Sequence, residues 1–211
     1  MNLDIHYKLL QWINMSIYIT GENNITFLHI PKTAGTSLLD WLITNRGNSE
    51  YVKWDTHPKL STILENRTAN TTFTVVRNPW DRMVSMYFYM KNIAINEQSN
   101  WLALNKITKD NFPSFEEWLY KTEDSLIPED YWFKGSTPQV EWVDRPVDIV
   151  IRYENLAEEF VKIQQEFKTS APLPHLYSSG RSDYKDYYND TTRKFVERIN
   201  EADIDYWKYS F

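Results

Sequence analysis

An apolar run, Ile25 to Ile30, is cut off by Pro31, and helical spacing of apolar residues begins soon after Thr36. No other stretch limits the fold as much. It reads as a buried strand, a tight loop and a helix start, with Lys32 inside the loop. Helix N-termini present unsatisfied N–H groups and the positive end of the helix dipole, so a lysine beside one makes an anion site. Gly35 allows a close backbone approach that a side chain would block. Thr36 and Ser37 add hydroxyls. The alternative is an ordinary capped helix, for which Ser37 and Asp40 supply a Ser-x-x-Asp capping box.

The remaining segments repeat the alternation. Residues 1–24 form an N-terminal extension, with a short helix expected near Tyr7 to Ile13 and a turn at Gly21 to Asn24. The first helix runs from Thr36 to Arg46 and stops before Gly47. Tyr51 to Trp54 is a second strand, followed by a short helix from Pro58 to Glu65. Thr72 to Arg77 is a third strand, rich in β-branched residues. A helix follows from Trp80 to Tyr89. Pro146 to Arg152 is a fourth strand, and Ala157 to Lys168 and Thr191 to Ile199 are helices. Asp203 to Phe211 is an aromatic tail expected to dock. Residues 91–143 are less regular, with a helix at Phe115 to Lys121, and read as an insertion over the sheet's ligand edge. Its aromatic residues can stack on sugar rings or simply pack. Strands alternating with helices predict an α/β fold, a P-loop-like three-layer arrangement with a central parallel sheet flanked by helices. All 211 residues are expected to form one domain.

Composition narrows the partners. A net charge of −6 and an isoelectric point near 5.3 argue against a nucleic-acid binder and a polybasic membrane anchor. The absence of cysteine removes disulfides and thiolate chemistry. The first twenty residues carry Asp4, His6 and Lys8, which fits neither a signal peptide nor a transmembrane helix. The expectation is a cytoplasmic protein, in which Asn66-Arg-Thr and Asn70-Thr-Thr are chance triplets.

Pro31-Lys-Thr-Ala-Gly-Thr-Ser37 is not the nucleoside-triphosphate loop, because its lysine precedes the glycine and the upstream glycine is missing. Arg77-Asn-Pro-Trp-Asp-Arg-Met-Val-Ser85 reads as a second junction of the same kind. Arg77 stands at the carboxyl end of a strand, where open α/β sheets bind ligands, and can pair its N–H groups with a phosphate. Its alternative is an ion pair with Asp81. Arg82 reads as a solvated helix residue.

At these two junctions the chain resembles the sulfotransferases. His29-Ile-Pro-Lys-Thr-Ala-Gly-Thr-Ser37 is similar to that family's 5′-phosphosulfate loop, and Val75 to Tyr87 to its 3′-phosphate motif. The likeness is nearest to the branch holding uronyl 2-O-sulfotransferases and their bacterial and viral relatives. It continues in Ile151-Arg-Tyr-Glu-Asn-Leu156, Leu173-Pro-His-Leu176, Arg181-Ser-Asp-Tyr184, Tyr187-Tyr188 and Asp203 to Phe211. It implies the donor 3′-phosphoadenosine 5′-phosphosulfate and no metal. Carried over, Lys32, Thr33, Gly35, Thr36 and Ser37 would hold the 5′-phosphosulfate, and Arg77 and Ser85 the 3′-phosphate. Arg181 would sit in a loop closing on the nucleotide. A Golgi location does not carry over, since the chain has neither the transmembrane segment nor the cysteines of anchored relatives.

The acceptor hydroxyl needs a base. His6 is outside the resemblance, His29 reads as a sheet residue and His175 as structural. His57 follows the second strand, in the region where the branch places a histidine base, and imidazole suits proton abstraction near neutral pH. Glu154 is the runner-up. The expectation is a sulfotransferase acting on a hydroxyl, taken to be a carbohydrate's, with His57 and Lys32 as catalytic residues. The alternatives are a P-loop kinase of a small metabolite and a non-catalytic nucleotide-binding module. Oligomeric state is left open.

Overall fold

The structure is a computed structural model and describes residues 16–20, 24–47, 49–54, 57–95, 108, 110–122, 137–174 and 180–211. The expected helix at Tyr7 to Ile13, His6, His175 and most of the aromatic-rich stretch 96–136 lie outside the described residues. The chain divides into two compact units, Met1–Arg77 with Gln139–Tyr177 and Asn78–Pro138 with Ser178–Phe211.

The first unit carries a five-stranded, mostly parallel sheet in the order β3-β1-β2-β4-β5. The strands are β1 (Ser16–Ile19), β2 (Ile25–Leu28), β3 (Tyr51–Trp54), β4 (Thr71–Val76) and β5 (Ile149–Arg152). β2, β4 and β5 pair in parallel, while β1 pairs antiparallel with both β2 and β3. β1 is absent from the sequence reading, which has four strands. Its residues Ser16-Ile-Tyr-Ile are all buried, and the continuous burial hides the two-residue period that marks an exposed strand. β1 separates β3 from β2, so β3 becomes an edge strand.

Register is fixed by side chains as well as the ladder. Asp148 accepts from the Thr72 amide and hydroxyl, each at 2.7 Å, pinning the entry to β5 against β4. The Thr74 hydroxyl donates to the Leu28 carbonyl at 2.8 Å.

Helix α1 (Gly35–Asn45) buries Leu38, Leu39, Trp41 and Leu42 in one core with Phe27, Phe73, Val75 and Ile151. Each such side chain contributes about 1.5–3 kcal/mol on removal from water. A short helix, α2 (Leu60–Ile63), follows β3. After β5 the expected single helix is broken. A 3₁₀ turn, Tyr153–Asn155, leads to later short helices at Leu156–Glu159 and Val161–Glu166, interrupted at Phe160. Phe160 is buried in the sheet core, and its ring meets Trp41 edge-on at 4.9 Å. Packing there takes precedence over helical continuity.

The second unit is helical. α3 (Pro79–Ile95) is longer than its apolar pattern indicated, and α4 (Phe115–Lys121) starts with a capping box between Ser114 and Glu117. The two helices after β5 are α5 (Leu156–Glu159) and α6 (Val161–Glu166), so the last two are α7 (Asp190–Ile199) and α8 (Glu201–Trp207). The expected aromatic tail ends in α8 and a docked terminus: the Phe211 ring meets Trp80, Tyr184 and Tyr188 edge-on. Tyr87 meets Phe88 of its own helix and Phe112, Phe115 and Trp118, so these three aromatics of the expected insertion serve packing. Arg82 is a correction. It is fully buried and donates to the Thr137 carbonyl at 2.6 Å, rather than lying in solvent.

Candidate active site

The β2–α1 loop has an unusual backbone. Lys32 and Ala34 both adopt left-handed conformations, with φ of 67° and 70°. Non-glycine residues pay for that region, and such strain concentrates at functional sites. Alternation of this kind turns backbone N–H groups into a concave anion cradle. The loop is held from below by the Thr33 hydroxyl, which is fully buried and donates to the Ile30 carbonyl at 2.8 Å. The Thr33 side chain therefore braces the loop, and its amide is the group left for an anion.

α1 begins at Gly35, earlier than expected, with Ala34 as its N-cap. Alanine has no capping oxygen, and the expected Ser37–Asp40 capping box is not what starts this helix. The early start places Ser37 and Asp40 inside the helix. Thr36 and Ser37 are part-buried in the first turn, and the Leu38 amide donates to the Ala34 carbonyl at 3.2 Å.

Gly35 has a steric role the sequence did not reveal. A Cβ built there would fall 1.7 Å from His29 Nε2. The space that glycine opens is filled by the His29 ring.

Among the described residues, Lys32 is the cation with a clearly lowered pKa. Desolvation, followed by the positive charge of Arg77, pushes its pKa down from 10.5 to about 7. Arg77 is itself buried, and its Nη1 donates to the Lys32 carbonyl at 3.0 Å. Its guanidinium lies over the Tyr153 ring, 3.8 Å from the centroid, a contact that holds the cation while desolvating it. The Gln139 amide grips the Arg77 backbone from both sides. It accepts from the amide at 2.9 Å and donates to the carbonyl at 2.8 Å, as a neighbouring strand would.

His57 stands part-buried after β3. Its Nδ1 lies 2.8 Å from the His29 carbonyl. A carbonyl only accepts, so Nδ1 carries the proton and, in the neutral ring, Nε2 carries the lone pair. The His57 carbonyl accepts from the Trp142 indole at 3.0 Å. The Leu60 amide donates to the Trp142 carbonyl at 3.1 Å, and Ser61 bonds Asp144 through its amide and hydroxyl. The segment bearing His57 is thus strapped to residues 139–144.

The first unit brings together Lys32, Thr33, Gly35, Thr36, Ser37 and Arg77 on one loop and strand end, and fixes the ring of His57. Ser85 and Arg181 belong to the second unit. Ser85 is part-buried in the early turns of α3. Arg181 makes a largely buried ion pair with Asp81, and its Nε is buried without a hydrogen-bond partner among the described residues. Glu154 is exposed. The sequence reading missed Gln139, Trp142 and Tyr153. Only Tyr153 lay in a quoted motif; the others act across sequence separations no local pattern encodes.

The model of the sulfotransferase family matches residues 15–210. The chain belongs to the sulfotransferase family and is an enzyme of that class. No curated protein and no solved structure matches it. Among the described residues, no helix is long and apolar enough to cross a membrane.

Proposed function

We propose that this enzyme transfers a sulfuryl group from 3′-phosphoadenosine 5′-phosphosulfate to a carbohydrate hydroxyl, nearest in kind to the uronyl 2-O-sulfotransferases. The observation that carries this reading is the Lys32–Arg77 pair at a helix start with no side-chain cap. With the Lys32 pKa lowered to about 7 by burial and by the charge of Arg77, an anion bound beside it would favour its charged form.

In this mechanism the 5′-phosphosulfate lies on the amides of Thr33, Gly35, Thr36 and Ser37 and on the Lys32 ammonium. Arg77 and Ser85 are assigned to the 3′-phosphate by their shared motif, and Arg181 to a loop that closes on the nucleotide. The acceptor oxygen attacks sulfur in line, forming a new S–O bond as the S–O bond to the phosphate breaks. The acceptor proton passes to Nε2 of His57, and the electron pair of the broken bond stays on the phosphate, where Lys32 and the amides stabilise it. No metal takes part in this scheme. A chain without cysteine suits work in the cytoplasm.

The test is transfer of labelled sulfate from the donor to a panel of glycans, lipids, phenols and peptides. Labelling of a glycan that His57→Ala abolishes, with nucleotide binding retained, is the expected result. Labelling confined to phenols or peptides would overturn the acceptor class. Nucleotide binding with no acceptor labelled would point to a non-catalytic module.

A further inference from the structure

His29 lies one residue beyond β2, is 2% exposed and joins two parts of the site that are far apart in sequence. Its amide donates to the Ser16 hydroxyl at 3.1 Å, and its ring stacks on Phe27 with centroids 5.7 Å apart. On one side the imidazole occupies the volume that any β-carbon at position 35 would need. On another its ring meets the His57 ring edge-on, with centroids 4.6 Å apart. Its carbonyl accepts a hydrogen bond from His57 Nδ1 at 2.8 Å. One residue thus touches the start of the anion-binding helix and the proposed base together. A core histidine satisfied only for folding would not need a glycine cleared for it on one side and a second imidazole set against it on the other.

We infer that His29 is a positioning residue: its ring, wedged against Gly35, fixes the orientation in which His57 presents Nε2 to the acceptor hydroxyl. It does not touch substrate or take a proton. Its carbonyl selects the His57 tautomer, and its ring stops His57 from turning away. Gly35 is the counterpart that leaves the wedge its place, so donor loop and base share one spacer. The inference rests on the reading of His57 as the base.

The test is a size-exchange cycle with His29→Ala, Gly35→Ala and the double variant. Melting temperature, binding of 3′,5′-phosphoadenosine, and kcat and KM are read for each. Gly35→Ala forces a methyl into the His29 ring and should lower both melting temperature and nucleotide binding. His29→Ala should lower kcat by about 100-fold, the cost of a small misplacement of a reacting group, with donor KM little changed. In the double variant stability and nucleotide binding should recover while kcat stays low, because space is restored but the wedge is not. Recovery of kcat together with stability would overturn the inference and leave His29 as core packing. Nitrogen-15 spectra of the His57 ring give a readout independent of turnover: the wild type should show one sharp set of Nδ1-protonated ring signals, and His29→Ala, which keeps the carbonyl but loses the ring, shifted and broadened signals from several ring orientations. Unchanged His57 spectra in His29→Ala would also overturn it. Full turnover in His57→Ala would instead remove the base assignment, while the spectra would still report whether His29 orients the ring.

Discussion

The chain turns from strand to helix twice with similar-looking sequence, and the two turns solve the helix start differently. At Asn78-Pro79 the problem is closed internally. The Asn78 side chain accepts from the amides of Trp80 and Asp81 at 3.0 and 3.3 Å, and Pro79 occupies a first-turn position that needs no donor. At Ala34-Gly35 the N-cap is an alanine, the loop bends through two left-handed residues, and a desolvated lysine stands in it. A helix start capped by its own side chain has fewer amides left for an outside anion than one that lacks a cap. The sequence reading treated the junctions as the same kind; in the structure one is capped by a side chain and the other is not.

The difference can be pressed experimentally. Lys32→Ala should lower sulfate transfer by about 100- to 1000-fold, the scale of one preorganised donor to a developing charge. Initial rates at saturating acceptor measure it, and a loss under about tenfold would remove Lys32 from the reaction. The pH dependence of binding comes next. With Lys32 at about 7 in the free enzyme, the bound anion must raise its pKa, so binding above that pH takes up a proton. Through Lys32, affinity for 3′,5′-phosphoadenosine should fall by up to about tenfold per pH unit above pH 7. Calorimetry in buffers of different ionisation enthalpy reads the proton directly. Stability of the free enzyme should move oppositely. Between about 7 and 10.5 the unfolded chain binds more protons than the folded one, so unfolding free energy rises with pH. The smallest effect belongs to the other junction. Asn78→Ala should cost about 1 kcal/mol of stability as a lost cap, measured by urea denaturation, without the pH-linked proton uptake changing. A changed proton uptake in that variant would blur the distinction between the junctions.

Much of the fold was legible because it rests on local pattern. The apolar run at Ile25, the β-branched run at Thr72 and the helical pattern at Phe115 to Lys121 each state their structure within a few residues. β1 was hidden because a strand buried throughout lacks alternation. Arg82 was misread because the helical pattern shows which face a residue occupies, not which backbone carbonyl waits there, and Thr137 lies 55 residues on. The same holds at the site. Lys32, Gly35 and Arg77 were legible as chemistry at strand ends. Gln139, which holds the Arg77 backbone over a separation of 62 residues, and Trp142, which holds His57 over 85, were not. Gly35 was picked out for the backbone approach it would allow a ligand; in the structure the His29 ring fills the space where its side chain would stand.

The central claim is that the Ala34–Gly35 helix start, with Lys32, is the seat of the donor's phosphosulfate. Titration calorimetry of wild type and Lys32→Ala with 3′,5′-phosphoadenosine, and of wild type with ATP and magnesium, tests it most directly. The account predicts binding of 3′,5′-phosphoadenosine well above that of ATP with magnesium, weakened with loss of proton uptake in Lys32→Ala. Equal affinity in the two proteins, or a preference for ATP with magnesium, would contradict it.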